Sequence, residues 1–366
     1  MTGLLTGKTI LVRLRVERRR QRRSSGINRQ RRLRSPQADV SAARKAPEGE
    51  VMKAVQAGRH GNDSTSQALV RITRGSIDVA GRRRSYTLAE PPCAGPGAGL
   101  VLVFHGSNQT GEKFRAFTGN SFDALAAAGG AVVAYLDGYK GHWNDARAAS
   151  RFAARTENVD DVAFTEAVIS KLQASHQVDS SKVYAAGFSN GGQMVIRLIH
   201  QVPGLLAGAA IIAATQPVPD NFLLVDAPPV PLPVVLIHGT RDPIVAYKGG
   251  TMSWWTRQVF RVGGVSLSAT QTAAYYAARN EITQAPAAMD LPHREESGKA
   301  SVTRTDYRQD GMLPVTLYTV HAGGHTIPGP RKAPFVMGRT TRDLNAAEAI
   351  GQFFGLTLAP EPPKTR

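Results

Sequence analysis

Six short apolar runs recur along the chain: Leu100–Phe104, Ala131–Tyr135, Val183–Ala186, Ala209–Ala213, Val234–Ile237 and Val315–Val320. They are rich in Val, Ile, Leu and Ala and carry little polar alternation, as a strand covered on both faces requires. Between them apolar residues return every three or four positions. Phe164, Val168 and Leu172 do so behind Asp160-Asp161, and Met194–Ile199 and Thr272–Tyr276 have helical spacing too. Leu344, Ala347, Ile350 and Phe354 form a stripe that Asn345-x-x-Glu348 opens in the manner of a capping box. Ahead of the first run, Ile77–Val79 and Ser85–Leu88 flank Gly81 and predict a hairpin. Strands alternating with helices predict an α/β fold, with a mostly parallel, doubly wound sheet and an opening antiparallel hairpin.

The chain has 366 residues, 42% of them hydrophobic, enough for a sizeable core. The pattern assigns one domain to residues 67–357, a basic tail to 1–66 and a Pro-rich tail to 358–366. No apolar run reaches bilayer-spanning length. The formal net charge is +17, but residues 1–50 hold 14 of the 45 Lys and Arg against 4 of the 28 Asp and Glu, leaving only +7 for the rest. The tail around Arg18–Arg34 is too polar to bury a core, which predicts disorder. Three readings of it stay open: a solvated extension with Met52 as an alternative start, non-specific binding to nucleic acid or anionic lipid, and an organelle address. The single cysteine, Cys93, excludes an intramolecular disulfide and has no neighbour that would activate a thiolate.

Candidate chemistry begins at Gly187-Phe188-Ser189-Asn190-Gly191-Gly192, between an apolar run and a helical stretch. A strand, sharp turn and helix would hold the Ser189 hydroxyl clear of the sheet, with flanking glycines relieving the bend. The bare pattern arises by chance in about one chain of this size in five, so its context must support it. A serine hydroxyl needs a general base, and the base needs an acid to orient it. Asp242 lies just past the Val234–Ile237 run and His325 in the glycine-rich loop past Val315–Val320, giving the chain order Ser, Asp, His. Donors for a tetrahedral oxyanion are expected from the backbone N–H of Asn190, at a helix start, and from that of Ser107 in the loop His105-Gly106-Ser107.

These segments, taken in order with Asp137-Gly138, Trp143-Asn144-Asp145, Val159–Val162 and Gly323–Gly329, resemble the polyhydroxybutyrate-depolymerase and feruloyl-esterase-like α/β hydrolases over roughly residues 70–357. The resemblance implies hydrolysis of carboxylic esters, small or polymeric, through an acyl-enzyme. Ser189 would be the nucleophile, His325 the base and Asp242 its orienter, without a metal or organic cofactor. The chain departs from the family pattern at Ile327, where a tryptophan is usual, and at Ser107, where a cysteine is usual. The family is often extracellular, but no secretory signal is visible here, so localisation stays open.

Other residues have plainer readings. His321 and His325 invite a zinc reading that the intervening glycines defeat, because a His-x-x-x-His site needs a helix. His321 then reads as a strand-end residue, and His105 and His238 as loop-shaping residues. Asp160 and Asp161 read as a helix cap and dipole partner, and Gly95, Gly97 and Gly99 precede a strand, unlike a dinucleotide fingerprint. Trp254 and Trp255 are candidate walls of a substrate pocket, with core packing as the rival, and Trp143 is a third candidate, near the active-site rim by the resemblance, with a loop clasp as its rival. Two other functions fit the same residues. One is a serine peptidase; the other is a non-catalytic binding protein on a hydrolase scaffold, against which the complete set of triad residue types argues.

Overall fold

All six apolar runs form strands, and they lie side by side in parallel. The computed structural model describes residues 70–92, 97–224, 226–251 and 262–356; Cys93, Gly95, Trp254, Trp255 and both expected tails lie outside these residues. In chain order the strands are β1 (Arg71–Val79), β2 (Arg82–Glu90), β3 (Gly99–Phe104), β4 (Ala131–Leu136), β5 (Val183–Phe188), β6 (Gly208–Ile212), β7 (Val234–Gly239), β8 (Gly250–Thr251), β9 (Val265–Ser266), β10 (Ala287–Asp290), β11 (Val302–Tyr307) and β12 (Val315–Val320). Ten of them make one sheet in the order β1-β2-β4-β3-β5-β6-β7-β12-β11-β10, and β8 pairs with β9 apart from it. The expected hairpin is β1–β2. At the other edge β12, β11 and β10 run antiparallel, which the sequence pattern did not announce.

The sheet buries both faces. Along β3, Leu100, Leu102 and Phe104 point into one apolar layer, and Val101 and Val103 into the other, the two-residue alternation of a strand. The first layer takes Phe164, Val168 and Leu172 from the helix Asp161–His176, Met194 and Leu198 from Asn190–Gln201, and Tyr276 from Ala269–Arg279. The second takes Phe114, Leu125 and Ile350 from the helices Gly111–Phe117, Asp123–Ala127 and Ala346–Phe353. The strand order turns back between β3 and β5, which opens a crevice at their carboxyl ends. Among the described residues, no helix is long and apolar enough to cross a membrane.

Two local expectations are corrected. Asp160 is the cap, accepting from Ala163 N at 2.9 Å, but Asp161 is more than a dipole partner. It is fully buried, bonds Arg84 at 2.6 Å and accepts from Asn144 N at 2.7 Å, tying β2 to the loop beyond β4. The capping box at Asn345 does not form. Asn345 Nδ2 bonds Glu348 Oε1 instead, and its side chain leaves the helix N–H groups uncapped.

Candidate active site

Ser189 sits between the end of β5 and the helix Asn190–Gln201 with φ 55° and ψ −115°. A residue with a Cβ is seldom found there, and surrounding bonds must hold it. Ser189 N donates to Ile212 O at 2.8 Å, and Gln193 N to Ser189 O at 3.1 Å. Gly191 lets the helix start close against β3: a β-carbon at this position would lie 2.1 Å from Phe104 O. The turn therefore brings the serine and the loop after β3 together.

His325 and Asp242 come from neighbouring strand ends, β12 and β7. His325 Nδ1 donates to Asp242 Oδ2 at 2.7 Å, and the two side chains are 3% and 0% exposed. Asp242 Oδ1 accepts from the amides of Ile244 and Val245, both at 2.8 Å. Burial works to raise the Asp242 pKa, but the adjoining His325 and the amide bonds outweigh it and hold the carboxyl below its ordinary value. Because the carboxylate only accepts, Nδ1 carries a proton, and in the neutral tautomer that this bond selects Nε2 holds the lone pair. His238 is 3.6 Å from the same oxygen, donates to Val245 O at 2.9 Å, and has its pKa lowered by burial. The His325 loop is clamped from outside: His325 N donates to Met337 O at 2.7 Å and Gly324 N to Arg339 O at 2.9 Å.

Ser189, His325, Ser107 and Asn190 line one cavity of about 350 Å³, walled by Phe152, Phe188, Ile244 and Val262. In the loop after β3 the Gly106 amide is engaged by Gln109 Oε1 at 3.2 Å, leaving Ser107 as the loop's candidate oxyanion donor. His105 fixes this loop. Its Nδ1 donates to Gly106 O at 2.7 Å and its Nε2 accepts from Gly138 N at 2.8 Å, so the ring must be neutral. Burial lowers its pKa to about 4, consistent with that state. His105 and His238 are therefore loop-shaping residues.

Trp143 does not line the cavity. It is fully buried, its ring centroid is 5.1 Å from that of Phe104, and its Nε1 donates to His105 O at 2.9 Å. Its amide donates to Asn190 Oδ1 at 2.9 Å, so it clasps the loop after β3 to the start of the helix Asn190–Gln201. Trp254 and Trp255 lie outside the described residues. Sequence reasoning missed three polar residues here. Asp145 is fully buried, accepts from Asn190 Nδ2 at 2.6 Å and holds the Arg147 guanidinium through two bonds. Arg147 and Gln193 line the cavity. Asp145 lay inside the Trp143-Asn144-Asp145 motif, but nothing local marked its partner 45 residues away.

The Phospholipase/Carboxylesterase family model matches residues 97–256. The chain is 32% identical over 291 residues to "Putative esterase NocK" of Nocardia uniformis subsp. tsuyamanensis, covering 77% of this chain and 82% of that protein. The chain belongs to the esterase family of α/β hydrolases. The esterase is also 30% identical over 161 residues to Feruloyl esterase B of Piromyces equi, a match covering 42% of this chain and 28% of that protein. Among solved structures, the acetyl xylan esterase from Aspergillus awamori aligns with a TM-score of 0.48 at 14% identity, covering 77% of this chain and 99% of that one. The esterase is a carboxylic ester hydrolase, as the motifs implied.

Proposed function

We propose that Ser189 is the nucleophile, His325 the general base and Asp242 the group that orients it, in an acyl-transfer cycle within a catalytic domain spanning residues 67–357. The observation that carries this reading is the solvent-sealed Asp242–His325 bond, whose imidazole opens onto the cavity that Ser189 lines. His325 Nε2 takes the Ser189 proton as Oγ attacks the ester carbonyl. The oxyanion is met by the amides of Asn190 and Ser107, and losing one such donor typically costs about 3 kcal/mol of barrier. The intermediate collapses, the alcohol leaves with the proton from His325, and the acyl group stays on Ser189. Water, activated by the same imidazole, then releases the acid.

The substrate is a small or polymeric ester whose acyl group enters the 350 Å³ cavity. The relatives' names suggest feruloyl and acetyl esters, and the motif resemblance adds hydroxyalkanoate oligomers. Val336 lines the cavity while 81% exposed, beside Phe335 at 96%, and this apolar lip suits a bulky or polymeric alcohol portion. A Ser189→Ala variant tests the assignment. Nitrophenyl ester hydrolysis should fall at least a thousandfold; a wild-type rate would refute it.

A further inference from the structure

A second cavity, of about 550 Å³, lies where β11 and β12 meet the helix Ala346–Phe353, and none of its lining residues borders the cavity that Ser189 lines. Three segments each bring it an arginine: Arg294 ahead of the turn Glu295–Ser297, Arg304 from β11 and Arg342 from the loop before the helix. Asp343, on the same wall, is closed to a ligand. Its side chain is fully buried, bonds His293 Nδ1 at 2.8 Å and accepts from Ser297 Oγ at 2.5 Å and Arg294 N at 2.8 Å. Arg304 is balanced by Asp306 at 2.8 Å, whereas among the described residues neither Arg294 nor Arg342 forms an ion pair. Arg342 gives one Nη to Pro330 O at 3.2 Å, but its buried Nε has no acceptor, and the buried Asn345 Oδ1 has no donor among the described residues.

We propose that this cavity binds a sugar-sized, hydroxylated ligand through one anionic group, a carboxylate or a phosphate, received by Arg294 and Arg342. A guanidinium fork matches either oxyanion, and an anion relieves the repulsion among cations gathered around one space. A free ion would leave most of the volume empty, since 550 Å³ is the size of a site for a small organic molecule. The rest of the ligand must supply donors, because Asn345 Oδ1 and the Glu348 carboxylate, both on the wall, accept. Hydroxyl groups do so without adding positive charge beside the arginines. A second anionic group would meet Glu348, and an apolar chain would satisfy neither end.

The test is calorimetric titration of the whole chain at low salt with glucuronate, glucose 6-phosphate, glucose and inorganic phosphate. At least one of the two anionic sugars should bind with a Kd below about 1 mM, and the tighter of them identifies the anionic group. Glucose and inorganic phosphate should bind about tenfold more weakly or worse. Arg342→Gln should weaken the binding by about tenfold or more while nitrophenyl ester hydrolysis keeps its wild-type rate. Arg294→Gln, at an exposed position, reads the same loss should Arg342→Gln fail to fold. Ser189→Ala should bind as the wild type does, because the two cavities share no residue. Binding of neither anionic sugar, glucose or inorganic phosphate binding as tightly as they do, an affinity unchanged in both arginine variants, or binding lost in Ser189→Ala would each overturn the inference.

Discussion

His325 Nδ1 and Asp242 Oδ2 share a 2.7 Å hydrogen bond, while the other carboxylate oxygen is held by the amides of Ile244 and Val245. This asymmetry decides what Asp242→Asn would do. The asparagine oxygen would face the two backbone donors, turning its NH2 toward His325 Nδ1. The imidazole would then carry its proton on Nε2 and lose the lone pair that the proposed base role needs. The expected result is a fall in kcat of about 10³–10⁴-fold on a short nitrophenyl ester, with little change in melting temperature. A fall below tenfold would contradict the orienting role.

Acid should unfold the protein through buried histidines. His105 Nε2 accepts from Gly138 N, and His200 is similarly placed, with Nδ1 donating to Ile196 O and Nε2 bonded to the Tyr275 hydroxyl. Burial lowers both pKa values from 6.5 to about 4. Between those limits the unfolded chain binds protons that the native state refuses, so stability present above pH 6.5 is lost as pH falls toward 4. Each histidine contributes a slope of up to about 1.4 kcal/mol per pH unit. Urea unfolding at pH 7, 5.5 and 4.5 checks the sign; constant or rising stability over that window would contradict it.

Asp145 accepts from both Arg147 and Asn190, so Asp145→Ala strands a buried guanidinium and loosens the Asn190 side chain. The expected loss is about 3–5 kcal/mol in urea unfolding. Adding Arg147→Met should recover part of it, because the stranded charge goes too. A double variant as unstable as the sum of the singles would show that the pair is not coupled.

Gly191→Ala should damage catalysis and stability together. Its β-carbon would meet Phe104 O at 2.1 Å, a backbone atom that cannot turn aside. The helix start must retreat from β3, carrying the Asn190 amide with it. A loss above 2 kcal/mol in unfolding free energy is expected, with kcat lowered by about tenfold or more. Wild-type kcat in this variant would mean that the spacing between helix and strand is not critical.

The parts of the fold that were legible are those whose environment imposes a local pattern. Strands β3 to β7 and β12 are buried on both faces, and their runs say so. β10 and β11 lie at an edge; Ala287–Asp290 is exposed throughout and Val302–Tyr307 is rich in Thr, Arg and Asp, so neither carries an apolar signature. The placement of Ser189, Asp242 and His325 past strand ends was readable, because each follows an apolar run in a turn-rich segment. Asp145, Arg147 and Gln193 were not, since their roles depend on partners that only the folded sheet brings near. Trp143 shows the same limit: an aromatic beside a site suits wall or clasp equally, and the edge-to-face contact with Phe104 and the bond to His105 O decide.

The most direct measurement is the site of covalent capture. Wild-type protein treated with a fluorophosphonate and digested should yield one labelled peptide with the adduct on Ser189. His325→Ala should slow labelling by orders of magnitude, and Ser189→Ala should abolish it. An adduct on any other residue, or labelling of Ser189→Ala at the wild-type rate, would contradict the assignment of Ser189 as the nucleophile.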